Sequence, residues 1–124
     1  MNLEELFKEA FKNENLQSRF YYEILQNDIY ILGEVESNGD VLEEGSEIKL
    51  VSLKNEGEVY IPVFLSAESM DIFLDGNEQE YIKAKGEDLL ETLKQSNIVI
   101  NPGQKDTMVL YADEVQLILS QGKN

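Results

Sequence analysis

Carboxylates dominate the side chains that could do chemistry in this chain. Twenty-five Asp and Glu stand against ten Lys and Arg in 124 residues, and there is no His and no Cys. Without imidazole there is no histidine base, no Ser-His or Cys-His nucleophile and no histidine-ligated zinc. Without thiol there is no sulfur catalysis, disulfide or iron–sulfur cluster. Carboxylates, lysines, tyrosines and hydroxyls remain. Asp71 and Asp75 lie one helical turn apart, and Glu87, Asp88 and Glu91 cluster at a helix start. Oxygen ligands so spaced could hold Mg²⁺ or Ca²⁺. Asp71, Asp75, Gly76 and Glu80 lack the D-x-D-x-D-G spacing of a calcium loop, however. At this acid content close pairs arise by chance, so a solvated helix face outweighs a metal site. No metal and no organic cofactor is expected. Glycosidase work needs two carboxylates at a set distance in a cleft, and the chain has no Trp to offer a sugar platform. The glycines form neither G-x-G-x-x-G nor G-x-x-x-x-G-K-[ST], so no phosphate cradle is expected. Arg19 is the lone guanidinium. It could clamp a ligand carboxylate, but an i, i+4 pair with Glu23 is the simpler reading.

A net charge of −15, spread over both halves of the chain, argues against nucleic acid and anionic membranes as partners. The six tyrosines could stack bases, but without basic neighbours core or half-buried packing is the better account. Residues 34–47 carry Glu34, Glu36, Asp40, Glu43, Glu44 and Glu47 and no basic residue. This segment either recruits a basic protein partner or serves as a solvated loop that maintains solubility. The N-terminus shows no basic stretch followed by an apolar run, and no run approaches the ~18 apolar residues of a membrane span. A cytoplasmic protein is the expectation.

These groups need elements to position them. Leu3, Leu6, Phe7, Ala10 and Phe11 mark one face of a helix, and Leu16, Phe20, Ile24 and Leu25 mark a second. Strands are expected over Asp28–Leu32, Ile48–Leu53, Val59–Leu65, Glu80–Lys85, Ile98–Ile100 and Met108–Leu110. Pro62 cannot donate to a ladder, so it should face an edge or lie at a bulge. Asn38-Gly39 suits a type I′ turn, and Asn55-Glu56-Gly57 another reversal. Ser66 should cap a helix carrying Met70, Phe73 and Leu74, stopped by Gly76. Gly86-Glu87-Asp88 opens a helix with Leu89, Leu90 and Leu93 inside. The last helix runs from about Ala112, with Tyr111, Val115, Ile118 and Leu119 on one side. Asn101-Pro102-Gly103-Gln104 has the residues of a type II turn, with Pro at i+1 and Gly accepting positive φ at i+2. Asn101, Pro102 and Gly103 are therefore read as structural.

Three stretches carry a family resemblance. They are Arg19–Leu25 followed by Asp28–Ile31; Tyr60–Glu68, with its Pro-Val-Phe strand end and helix cap; and Asp88-Leu89-Leu90 through Asn101-Pro102-Gly103 to Leu110–Val115. The chain resembles, over nearly its whole length, the N-terminal domain of the SseB family, the bacterial enhanced serine sensitivity proteins. Residues 33–47 match nothing in that pattern, and Ala112 stands where the family often has a helix-opening proline. The matching motifs are signatures of fold, and the resemblance supplies no catalytic residue.

The expectation is one α+β domain over residues 1–124: two N-terminal helices, a mixed or largely antiparallel sheet of five to six strands, and helices mainly on one face. The leading functional reading is a non-catalytic protein-binding or regulatory module whose candidate contacts are the six acids of residues 34–47. An acidic immunity or inhibitor protein that neutralises a basic toxin is the second reading. An amino-acid-binding or enzymatic domain is the third.

Overall fold

The computed structural model describes residues 1–36 and 47–122. Helix α1, Leu3–Lys12, starts from a reciprocal cap. The Asn2 side-chain oxygen accepts from the Glu5 N–H at 2.8 Å, and the Glu5 carboxylate accepts from the Asn2 N–H at 3.5 Å. One 3₁₀ turn, Glu14–Leu16, leads into helix α2, Gln17–Gln26. The two apolar stripes meet, with the rings of Phe7 and Phe20 5.1 Å apart. Phe11 is half outside the stripe but sets its edge against Phe7 at 5.0 Å.

Strand β1, Asp28–Glu36, runs four residues beyond the expected Leu32. Strand β5, Tyr81–Lys85, lies antiparallel along residues 28–32. Strand β4, Glu58–Phe64, takes the other side but meets β1 only at Tyr30↔Phe64 and Ile31↔Val63. Beyond that point two short strands fill the fork between β1 and β4. Strand β2, Glu47–Leu50, pairs with β1, and strand β3, Leu53–Asn55, pairs with β4. The Val51 N–H donates to Leu32 O, whereas the Gly33 N–H donates to Glu80 O. Neighbouring residues of a strand send their amides to opposite sides, so β2 stands on the β4 side of β1. The single strand expected over Ile48–Leu53 is thus broken at Val51-Ser52, where the chain changes partner. That break raises the strand count to seven. Gly33 permits the approach, because a Cβ there would lie 2.5 Å from Lys49 O. At the β3–β4 hairpin Glu56 and Gly57 have φ of 53° and 85°, the pair of positive angles a type I′ turn demands.

Strand β6, Asn97–Ile100, runs parallel to β4, and strand β7, Met108–Leu110, closes that end antiparallel to β6. The mixed seven-stranded sheet follows β2–β1–β4–β6–β7, with β5 paired to β1 and β3 paired to β4. Pro62 does not lie at a sheet edge as expected. It is buried in β4 opposite Val99 of β6. The Asn101 N–H donates to Val63 O across the β6 side, so the nitrogen of Pro62 points the other way. There β3 pairs with residues 58–60 and β1 with 63 and 64, and neither stands opposite Pro62. The missing donor falls at the handover between two partners, where no ladder needs it.

Alternation along the strands separates two faces. Ile29, Ile31, Ile61, Val63, Ile98 and Ile100 point into the main core. Helices α1, α2, α4 (Gly86–Thr92) and α5 (Ala112–Gly122) cover it with their own apolar stripes. Helix α3, Ala67–Leu74, lies on the other face, where Met70 joins Leu32 and Phe64 in a smaller cluster. Ser66 caps α3 by accepting from the Ser69 N–H at 3.1 Å. Asp75 and Gly76, with φ of 47° and 85°, end it. Gly86 does more than open a helix. Its N–H donates to Asn27 O, and a Cβ on it would stand 1.7 Å from Ile24 O. The start of α4 rests on the carbonyl end of α2 with no room for a side chain.

Candidate functional site

Strand β5 begins at Tyr81, opposite Leu32 of β1. Residues 78–80 approach it from solvent, and the bond from the Gly33 N–H to Glu80 O, 2.9 Å, is the last backbone rung on that side among the described residues. Gln79 Nε2 donates to the same Glu80 oxygen at 3.3 Å. Between β1 and this divergent segment opens a cleft of about 560 Å³, lined by Gly33, Glu34, Glu78, Gln79, Glu80, Tyr81 and Ile82. Glu34, Glu78 and Glu80 are exposed along it, and Tyr81 is 53% exposed. Neither the Glu78 nor the Glu80 carboxylate is in an ion pair among the described residues. The Tyr81 ring lies 5.9 Å from that of Tyr30, and the Lys83 ammonium sits over the Tyr30 ring, 5.7 Å from its centroid.

Three carboxylates accept hydrogen bonds and donate none at neutral pH. Beside them stand a phenol and an amide. The set is matched to an ammonium or guanidinium group whose aliphatic stem can lie on Tyr81. No nucleophile–base pair faces the cleft.

Of the six acids named from the sequence, three lie in described strands. Glu34 lines the cleft. Glu36 and Glu47 are opposite each other in the β1–β2 register. Asp40, Glu43 and Glu44, like the Asn38-Gly39 turn, lie outside the described residues. Glu78, Glu80 and Tyr81 were not picked out by sequence reasoning as site residues. Their signal was the alternation Glu78-x-Glu80 immediately before a strand, which reads only as a polar strand entry until β5 is known to end against β1. Among the described residues no group of three or more Asp and Glu converges as a metal site. Arg19 forms no pair with Glu23 there; the Glu23 carboxylate accepts from Asn27 Nδ2 at 3.3 Å instead.

Asn101, Pro102 and Gly103 run along α3, with Asn101 bonded to Leu65 before its first turn and Gly103 next to Phe73 in its last. Gly103 has φ of 87° and Asn101 φ of 53°. Asn101 is also one of the two buried polar side chains among the described residues. Its Nδ2 donates to Glu4 at 2.7 Å, and its Oδ1 accepts from the Leu65 N–H at 3.1 Å. The other Glu4 oxygen accepts from Ser66 Oγ at 2.5 Å and from Ser69 Oγ. One carboxylate therefore ties the first turn of α1 to the start of α3 and to the β6–β7 connection. Beside it Asn2, Glu4, Asn27, Asp28, Ser66 and Glu68 line a second cleft of about 350 Å³. There the hydrogen-bonding capacity of Glu4 is already used by the fold.

Tyr21, Tyr30 and Tyr60 are half-buried, within the packing expected of the tyrosines. Tyr22, Tyr81 and Tyr111 are about half exposed or more, at 55%, 53% and 49%. Tyr111 leaves the buried stripe of α5 and lies near Tyr60. Partial desolvation, with Tyr111 and Glu58 adding to it, holds the Tyr60 phenol above its ordinary pKa. Burial, reinforced by Glu114, does the same for Tyr21.

A mixed open sheet with four helices on one face, one on the other and an acid-lined cleft at its margin defines an α+β domain with five helices. The family model described as the SseB protein N-terminal domain matches residues 3–117, and the chain belongs to that family. No curated protein and no solved structure was found to match it. No described helix is long and apolar enough to cross a membrane.

Proposed function

We propose that the chain is a non-catalytic binding module that docks a Lys- or Arg-bearing surface of a partner protein in the Glu34–Glu78–Glu80 cleft. The observation that carries this reading is the convergence of three exposed carboxylates and an exposed tyrosine on one opening, contributed by segments more than forty residues apart in sequence. Each exposed ion pair adds only about 0.2–1 kcal/mol. The gain from such a cleft lies in steering and register, with the −15 charge drawing a basic surface in. A basic toxin would be one such partner. The lack of His and Cys agrees with a binding role.

Affinity capture from native lysate with the parent and with the Glu34→Gln, Glu78→Gln, Glu80→Gln variant tests the proposal. A basic protein held by the parent and lost by the variant supports it. The same proteins retained by both would refute it.

A further inference from the structure

The sheet has a second free margin. Among the described residues strand β7 pairs only with β6, and its Val109 is 40% exposed. Strand β5, the margin at the other end, carries Lys83 and Lys85. Lysines on an edge strand oppose pairing with another chain. Strand β7, Met108-Val109-Leu110, carries no charge.

The sheet face beside β7 is exposed at Val109 and half-buried at Val99, while Pro62 beyond them is buried. Helix α3 covers only the part around Leu32 and Phe64. In register across β7, β6 and β4 stand Val109, Val99 and Pro62. One row away, half-buried Tyr60 lies near the exposed Tyr111. The shelf is apolar and aromatic, and the residues around it carry four acids, Glu58, Asp106, Asp113 and Glu114, beside one lysine, Lys105. Glu58 accepts from Asn97 Nδ2 at 3.2 Å, Glu114 accepts from the Tyr111 N–H at 3.2 Å, and Asp106 and Asp113 flank the strand.

We infer that the β7 edge and its Val109–Tyr111–Tyr60 shelf form a second docking surface, which takes an extended partner segment with alternating apolar and Lys or Arg side chains. The segment's backbone continues the sheet beyond β7, its apolar side chains lie on the shelf, and its cations meet the surrounding carboxylates. A second copy of this chain is the wrong occupant, because pairing β7 with β7 would bring two such acidic borders together on molecules of charge −15.

The probe is a short blocked peptide of alternating Lys and Val, titrated into the ¹⁵N-labelled full chain. The control is the same sequence N-methylated at alternate backbone nitrogens. The expected result is amide shifts centred on Val99, Met108–Leu110, Tyr60 and Tyr111, slowed amide exchange in β7, and binding weakened at least about tenfold by N-methylation. Val109→Lys should weaken binding by a similar factor with the melting temperature unchanged. The N-methylated control keeps the test valid if that variant folds poorly. Equal binding of the methylated peptide overturns the inference. Shifts confined to Glu34 and residues 78–82 overturn it too, while leaving the cleft reading intact. Absence of binding, or a dimer that depends on Val109, also overturns it.

Discussion

The two margins of the sheet are built on opposite plans. At the β5 margin a strand ends with lysines, and the opening beside it is lined by Glu34, which stands opposite Lys49 of β2, and by Glu78 and Glu80, which form no ion pair among the described residues. At the β7 margin the strand is bare and apolar, and its acids stand back around it. The anchoring differs as well. The β5 margin is fixed by a steric fit, with Gly86 pressed on the end of α2. The β7 margin is fixed by a polar junction, with Asn101 joined to Glu4 and Leu65. The difference teaches that sheet margins of one small domain can be held by unrelated forces, so they should fail under different substitutions.

Gly86→Ala attacks the steric fit and should have the largest effect. A methyl group 1.7 Å from Ile24 O cannot be accommodated without moving α4 off α2. A loss of about 3 kcal/mol is expected in urea unfolding. A loss below about 1 kcal/mol would show that α4 is not seated this tightly.

Asn101→Ala attacks the polar junction. It leaves the buried Leu65 N–H without its acceptor and the half-buried Glu4 without one donor. The expected cost is about 2–3 kcal/mol. A double-mutant cycle with Glu4→Gln should return coupling of about 1 kcal/mol or more; additive losses would mean that Glu4 and Asn101 do not act together. Gly103→Val in the same connection should cost about 1 kcal/mol, read as a lower melting temperature. The added Cβ meets Phe73 only at 3.6 Å, so the cost comes from φ of 87° rather than from crowding.

These residues also show how far the sequence could be read. The helices at both ends, the Ser66 cap and the Asn101–Gln104 turn follow from local chemistry and periodicity, which act over a few residues. Asn101 looked spent once the turn was assigned, because Glu4 lies 97 residues away. Gly86 looked like a helix opening, since nothing in residues 84–88 discloses that α2 ends against it. Pro62 looked like an edge residue because the rule concerning its missing N–H assumes one partner per side; a strand handed from β3 to β1 escapes it. Of the candidate site, only Glu34 was legible, as one of a run of acids. Glu78, Glu80 and Tyr81 join it solely through the β1–β5 register, a non-local pairing.

The smallest structural effect is expected at the margins themselves. Tyr81→Ala should change stability by about 0.5 kcal/mol, because the ring is half exposed and reaches the smaller core only through Tyr30. Lys83→Val with Lys85→Val should leave stability similar and make the protein self-associate in sedimentation, as the β5 margin loses its guard. A variant that stays monomeric would break the contrast between the two edges.

The cleft reading is tested most directly by association kinetics. The captured partner would be mixed with the parent and with the Glu34→Gln, Glu78→Gln, Glu80→Gln variant at low and at physiological ionic strength, where the Debye length falls to ~8 Å. The account predicts that the variant associates more slowly at low salt, that the gap narrows as salt rises, and that dissociation changes less than association. Equal association rates for variant and parent at low salt would contradict it.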